Sequence, residues 1–279
     1  MAIKDIFLPL TSYPSLSVQA INKCVVLVRH LGAHVSALAV DVDVPASSRP
    51  FVRPICFTQE MAEEAPARSG AREALETFYA MAGATGASCE SMIVRSTIDE
   101  IPMMLANHAR LCDMSLVPVK SHDSAMEKIL TALVFSSGRP ILILPADRAD
   151  TLSDRFDHVT IAWDHSPQAA RAVGDALPLF RAAKTVRILT VADHVNGMEA
   201  RSGAALVKHL SRHGIAATFE IVPLGGSSVG KVFEAEVKAN GTDLLVMGAY
   251  GHSWLKEFTW GGATNTVLSD PPCWVLMSH

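Results

Sequence analysis

Short, nearly unbroken apolar runs alternate along the chain with stretches of helical period. The run Asp5-Ile-Phe-Leu-Pro-Leu-Thr closes on polar residues and Pro14, and residues 18–31 then place apolar side chains every three or four positions. Further apolar runs lie at 34–41, 112–118 and 139–145. The same grammar returns later, with apolar runs at 159–163, 185–192, 242–248 and 272–278 and a helical stretch at 169–183. Runs apolar throughout, rather than alternating in and out, mark parallel strands covered by helices on both faces. The pattern predicts β-α-β-α-β-α-β-α-β twice. The fold class is therefore α/β, with two tandem doubly wound five-stranded parallel-sheet domains of Rossmann-like form.

The two copies are not equal in length. Val35 aligns with Val186 at an offset of 151, but Asp113 aligns with Asp243 at an offset of 130. The first copy thus carries 21 extra residues between its second and third strands, in the Pro-, Ser- and charge-rich stretch 44–69. A long loop or a partly helical insertion is expected there. The polar segment 146–157 reads as a linker, giving domains at 1–147 and 155–279. The final strands, 141–144 and 274–277, are apolar and would form exposed edges. They are expected to pair with each other, making an intrachain pseudo-dimer, with other surfaces left for a homodimer.

Composition narrows the function. At roughly 100–200 residues per domain, 279 residues suit two domains. Hydrophobic residues make up 49% and charged residues 19%, which excludes a largely disordered chain. Twenty-four Lys+Arg against 28 Asp+Glu leave no basic footprint, so no nucleic-acid partner is expected. No run approaches the roughly 18 apolar residues of a membrane span, and Asp5 and Pro9 interrupt any leader-like start. Five cysteines without a CxxC pair suggest buried, reduced thiols in the cytoplasm. Eleven histidines include no HExxH or zinc-like spacing, so no metal is expected.

Ligands of doubly wound sheets bind beyond the carboxyl ends of the strands. After the fourth strand of the second copy comes Gly248-Ala-Tyr-Gly251, then nine residues, then Gly261-Gly262-Ala263-Thr264. Bare backbone at Gly248 and Gly251 allows close approach of a phosphate, and Gly261-Gly262 stands where a helix would begin. This Gly-x2-Gly-x9-Gly pattern resembles the ATP-binding signature of the universal stress proteins, and the resemblance extends over both copies. It implies strand order 3-2-1-4-5 with ATP at the switch between strands 1 and 4. It implies Asp164 beside the adenosine, Val191 or Ala192 against the adenine, and Met247 just before the first motif glycine. Gly248, Gly251 and Gly261 would meet ribose and phosphates, followed by Gly262, Ala263 and Thr264. Two departures stand out: Gly262 replaces a hydroxyl residue, and Tyr250 stands where relatives often carry Arg. In the first copy Leu10, Pro118 and Ser121 occupy the places of Asp164, Gly248 and Gly251, so that copy reads as degenerate.

Other motifs compete weakly. Gly225-Gly-Ser-Ser-Val-Gly230-Lys231 nearly spells a P-loop, but Val232 lacks the hydroxyl that would hold Mg2+. His165, His194 and His252 follow strand ends and read first as solvent-facing groups. Asp164-His165-Ser166 is too local to form a catalytic triad. Trp254 and Trp260 read as core before base-stacking groups. The expected function is an adenine-nucleotide-binding stress-response protein with ATP, and Mg2+ where phosphates are held, in the second domain. It would be a weak ATPase at most, with no residue assigned to catalysis. The alternative is a regulatory scaffold in which the glycines serve packing alone.

Overall fold

The two opening helices start from the same local device. Ser17 accepts a hydrogen bond from Ala20 N at 3.2 Å and Ser166 one from Ala169 N at 3.1 Å, each serine capping the orphan amides of a helix start. Gly32 then ends the first helix in the left-handed conformation (φ 62°). The computed structural model describes residues 2–11, 17–43, 60–193, 197–249 and 267–279. Its first half runs β1 (Asp5–Thr11), α1 (Val18–Leu31), β2 (His34–Asp43), α2 (Glu60–Thr85), β3 (Ser88–Thr97), α3 (Ile101–Ala109), β4 (Met114–Val119), α4 (Ser124–Ser136) and β5 (Ile141–Pro145). A 3-10 helix, Ala146–Thr151, occupies the segment expected as a linker. The second half runs β6 (His158–Ala162), α5 (Pro167–Phe180), β7 (Thr185–Val191), α6 (Gly197–Arg212), β8 (Ala217–Val222), α7 (Val229–Ala239), β9 (Leu244–Gly248) and β10 (Trp274–Ser278).

The strands form one sheet of ten, ordered β3-β2-β1-β4-β5-β10-β9-β6-β7-β8. Each half has the order 3-2-1-4-5 and is parallel throughout. The halves meet where β5 and β10 run antiparallel, pairing Ile141, Leu142 and Ile143 with Met277, Leu276 and Val275. The two expected sheets are thus a single continuous one, with no free edge at its centre.

Sheet registers fix the equivalence of the halves. Val35 pairs with Ile6 and Cys89, while Val186 pairs with Val159 and Ala217. The offset is therefore 151 at the second strand and 128 at the third, so the excess of the first half lies between them. Part of it is helix, since α2 is 26 residues long against 16 for its counterpart α6. Residues 44–59, with Phe51 and Phe57, lie outside the described residues.

Two apolar layers cover the sheet. One contains α1, α2, α5 and α6 with Leu8, Leu142, Ile188 and Leu276. The other contains α3, α4 and α7 with Phe7, Ile143, Met247 and Val275. Each layer crosses the seam between the halves, so neither half has a core of its own on either face. Among the described residues no helix is long and apolar enough to cross a membrane.

Candidate functional site

Strand order reverses between β6 and β9, which places a crevice at the carboxyl ends of these strands. Three adjacent strand ends frame it. Val191 ends β7 and Met247-Gly248 ends β9, while Asp164 lies two residues beyond β6. Val191 and Met247 both belong to the apolar layer that carries α7. Ala192 continues the β7 path, its N–H donating to Val222 O at 3.0 Å. These five expected site residues are brought together by the topology. Gly251, Gly261, Gly262, Ala263 and Thr264 lie outside the described residues, as do Tyr250, His194, His252, Trp254 and Trp260.

The β6 end is held firmly. Trp163 N–H donates to Leu189 O at 2.9 Å, and the buried Thr190 hydroxyl donates to Trp163 O at 2.7 Å. Asp164 Oδ1 then accepts from Ser166 N at 3.0 Å, an Asx-type turn that feeds directly into the cap of α5. Between them His165 takes a left-handed φ of 63°. Only a single residue thus separates Asp164 from the helix cap.

Gly248 has a packing reason to be glycine. A Cβ there would lie 2.5 Å from Ala169 N and 2.6 Å from Gln168 C, inside the backbone of the first turn of α5. The expected freedom for a phosphate is therefore joined by close contact of helix and strand backbones. Gln168 Oε1 is buried at this junction without a hydrogen-bond partner among the described residues. No sequence signal marks Gln168, because nothing local distinguishes it from a solvated residue in a helical first turn.

The loop after β8 completes the rim. Gly225 and Gly226 take φ of 58° and 76°, and Gly225 N donates to Asp193 Oδ1 at 3.2 Å, tying the β7 and β8 loops together. Ser228 caps α7, and Lys231 is exposed on its first turn. Val232, at the position of the P-loop hydroxyl, is buried at 9% exposure, so this loop lacks P-loop chemistry.

In the first half the register corrects one equivalence. Ile6 and Val159 hold the same place, which makes Thr11, not Leu10, the counterpart of Asp164. Thr11 is 5% exposed and its hydroxyl has no partner among the described residues. Pro118 does stand in the place of Gly248, pairing with Leu144 as Gly248 pairs with Ser278. Ser121 faces the other half, its hydroxyl donating to Asp270 Oδ1 at 3.0 Å. Among the described residues no group of three His, Cys, Asp or Glu side chains could hold a metal ion.

Residues 155–279 match the model of the universal stress protein family. No curated protein matches the chain. The fold is similar to the crystal structure of a universal stress protein from Archaeoglobus fulgidus DSM 4304, with a TM-score of 0.70 and 17% identity over 98% of this chain and 95% of that one. It is also similar to a functionally unknown protein from Pseudomonas aeruginosa PAO1, with a TM-score of 0.58 and 14% identity over 99% and 92% of the two chains. At such identities these likenesses establish the shared fold.

Proposed function

We propose that residues 155–279, a universal stress protein domain, bind an adenine nucleotide, ATP with Mg2+ on its phosphates, at the switch between β6 and β9. The observation that carries this proposal is the convergence of Val191, Asp164 and Gly248 on three neighbouring strand ends at the point where strand order reverses. The base would lie against Val191 and Ala192, with Asp164 beside the ribose and Met247 beneath. Backbone N–H groups of Gly248, Gly251, Gly261, Gly262 and Ala263, with the Thr264 hydroxyl, would meet the phosphates. A nucleotide needs little from the chain beyond such donors and an apolar wall, which is what these residue types supply.

Binding, not turnover, is the proposed activity: nucleotide occupancy would change the conformation or partners of a cytoplasmic stress-response protein. Hydrolysis by water at the bound phosphates would be slow. One observation favours the alternative of a non-nucleotide scaffold, namely that packing against α5 already requires glycine at 248.

The two are separated by denaturing freshly purified protein, assaying released nucleotide, and titrating ATP into the wild type, Asp164→Ala and Gly251→Val. Wild-type binding lost in both variants supports the nucleotide site. Absence of carried nucleotide together with no ATP binding at millimolar concentration favours the scaffold.

A further inference from the structure

A second concavity lies on the opposite face of the second half. Between α5 and α6 runs an open cleft of about 490 Å3, with Trp163, Ser202, Ala205 and Leu206 in its walls and His165 and His209 at its rim. Its walls belong to the layer of Trp163 and Leu206, whereas Val191 and Met247 belong to the other layer; the cleft and the β6–β9 crevice adjoin only at the end of β6, where Asp164 lies between Trp163 and His165. Its size is within the range of small-molecule sites, roughly 300–1,000 Å3.

The first half closes the same place. There α1 packs directly on the longer α2, and Leu10, the register counterpart of Trp163, has 0% exposure. In the second half the shorter α6 leaves room, and Trp163 reaches across it, its indole N–H donating to Ser202 Oγ at 3.1 Å. The His165 ring lies beside this indole, tilted by 50° with centroids 6.1 Å apart, on a left-handed backbone. His209 stands on the facing helix, edge-on to His213 at 4.8 Å.

We infer that this cleft binds a small planar aromatic carboxylate. The apolar walls, with the small part of the Trp163 indole that is left exposed, suit a flat hydrocarbon body. Two imidazoles at the rim offer N–H donors to an acid group, and no Asp or Glu is among the described residues that line the cleft. Lys208 and Arg212, both exposed on the same helix, add positive potential around His209. The walls select for shape and the rim for charge.

The test uses the full chain with 2-naphthoate and its neutral counterpart 2-naphthamide, followed by calorimetry. His165→Gly keeps the left-handed backbone while removing the ring, so it is combined with His209→Ala. This double variant should weaken naphthoate at least about tenfold and change naphthamide by less than about twofold, as expected for loss of charge-assisted hydrogen bonds. Ala205→Trp should abolish both ligands, and Ala205→Glu should repel the acid more than the amide. Ala205 is exposed, so both variants should fold. ATP titrated into Ala205→Trp should behave as with the wild type, which separates this site from the nucleotide crevice. Failure of naphthoate to bind at millimolar concentration, equal binding of acid and amide, or indifference to Ala205→Trp would overturn the inference.

Discussion

Leu142 in β5 and Leu276 in β10 face one another across the antiparallel ladder, and each is the other's counterpart in the repeat. The pairs on either side, Ile141 with Met277 and Ile143 with Val275, exchange places under the same equivalence. The seam therefore has the geometry of an isologous dimer interface built within one chain. Both leucines have 0% exposure. Leu142→Ala and Leu276→Ala should each cost about 2–5 kcal/mol in denaturant unfolding. A double-mutant cycle should show coupling of about 0.5–3 kcal/mol, because the two side chains share one environment. Since both apolar layers cross the seam, the wild type should unfold in one transition seen equally by probes in either half.

Gly248→Ala should destabilise the protein without any ligand. The new methyl would press on the backbone of Gln168 and Ala169, which cannot turn aside as a flexible side chain could. A loss of about 1–3 kcal/mol is expected, read as a lowered Tm in nucleotide-free protein. Gly174→Ala, inside α5 with open space around the position, should be neutral or stabilising in the same assay.

The physical source of each signal decided what could be read from the chain. The periodicity of residues 18–31 marks α1 because one face is buried and the other wet. The apolar runs mark strands for the opposite reason, being buried on both faces. That same uniformity hides register: with no alternation to fix phase, a shift of one residue leaves the pattern unchanged, and Leu10 is taken for Thr11. The glycines point to a strand–loop–helix junction, but contact between Gly248 and α5 depends on how two distant backbones approach. The α5–α6 cleft is hidden likewise, because it reflects the separation of two helices and not a motif.

Asp243 and Asp113 perform one structural task twice. Asp243 Oδ2 accepts from Asp157 N and His158 N at 3.0 and 2.9 Å, and Asp113 Oδ2 from Lys4 N and Asp5 N at 2.8 and 3.1 Å. Each aspartate thus pins the start of a first strand to the start of a fourth. Alanine at Asp243 leaves two backbone donors without their acceptor and should cost about 1–3 kcal/mol. Asp113→Ala should cost less, because the bond from Lys4 is exposed and water can replace the acceptor. Chemical denaturation of the two variants side by side measures the difference.

Acid stability should carry a contribution from Asp157. The Lys184 ammonium, hydrogen-bonded to Asp157 Oδ2 at 2.7 Å, holds this carboxyl below its ordinary value of 3.8, against a smaller opposing effect of burial. A carboxyl depressed in the folded state binds protons more weakly there than in the unfolded chain. Its stabilisation is therefore present above the unfolded value and lost as pH falls through the folded one. Lys184→Met should flatten this part of the stability profile below about pH 4 and leave its slope near neutrality unchanged. Urea midpoints measured from pH 2 to 7 report both regions.

Thiol reactivity should separate the cysteines by environment. Burial pushes the Cys24 thiol far above its ordinary range. Burial also raises Cys112 to about 12, with the nearby carboxylates of Asp5 and Asp113 acting in the same direction. Cys273 likewise rises to about 12, chiefly through burial. The thiolate is the reactive species, so all three should resist a thiol reagent at pH 8 in the native state. Cys89, half-buried on the edge strand β3, is accessible and should react earlier. In a Cys56→Ser background, which removes the cysteine outside the described residues, titration with Ellman's reagent should show one early thiol. Three more should appear only with global unfolding, and Cys89→Ser should abolish the early phase. Early reaction of Cys273 instead would mean that the β10 side of the seam opens locally, because this residue immediately precedes the strand that joins the halves.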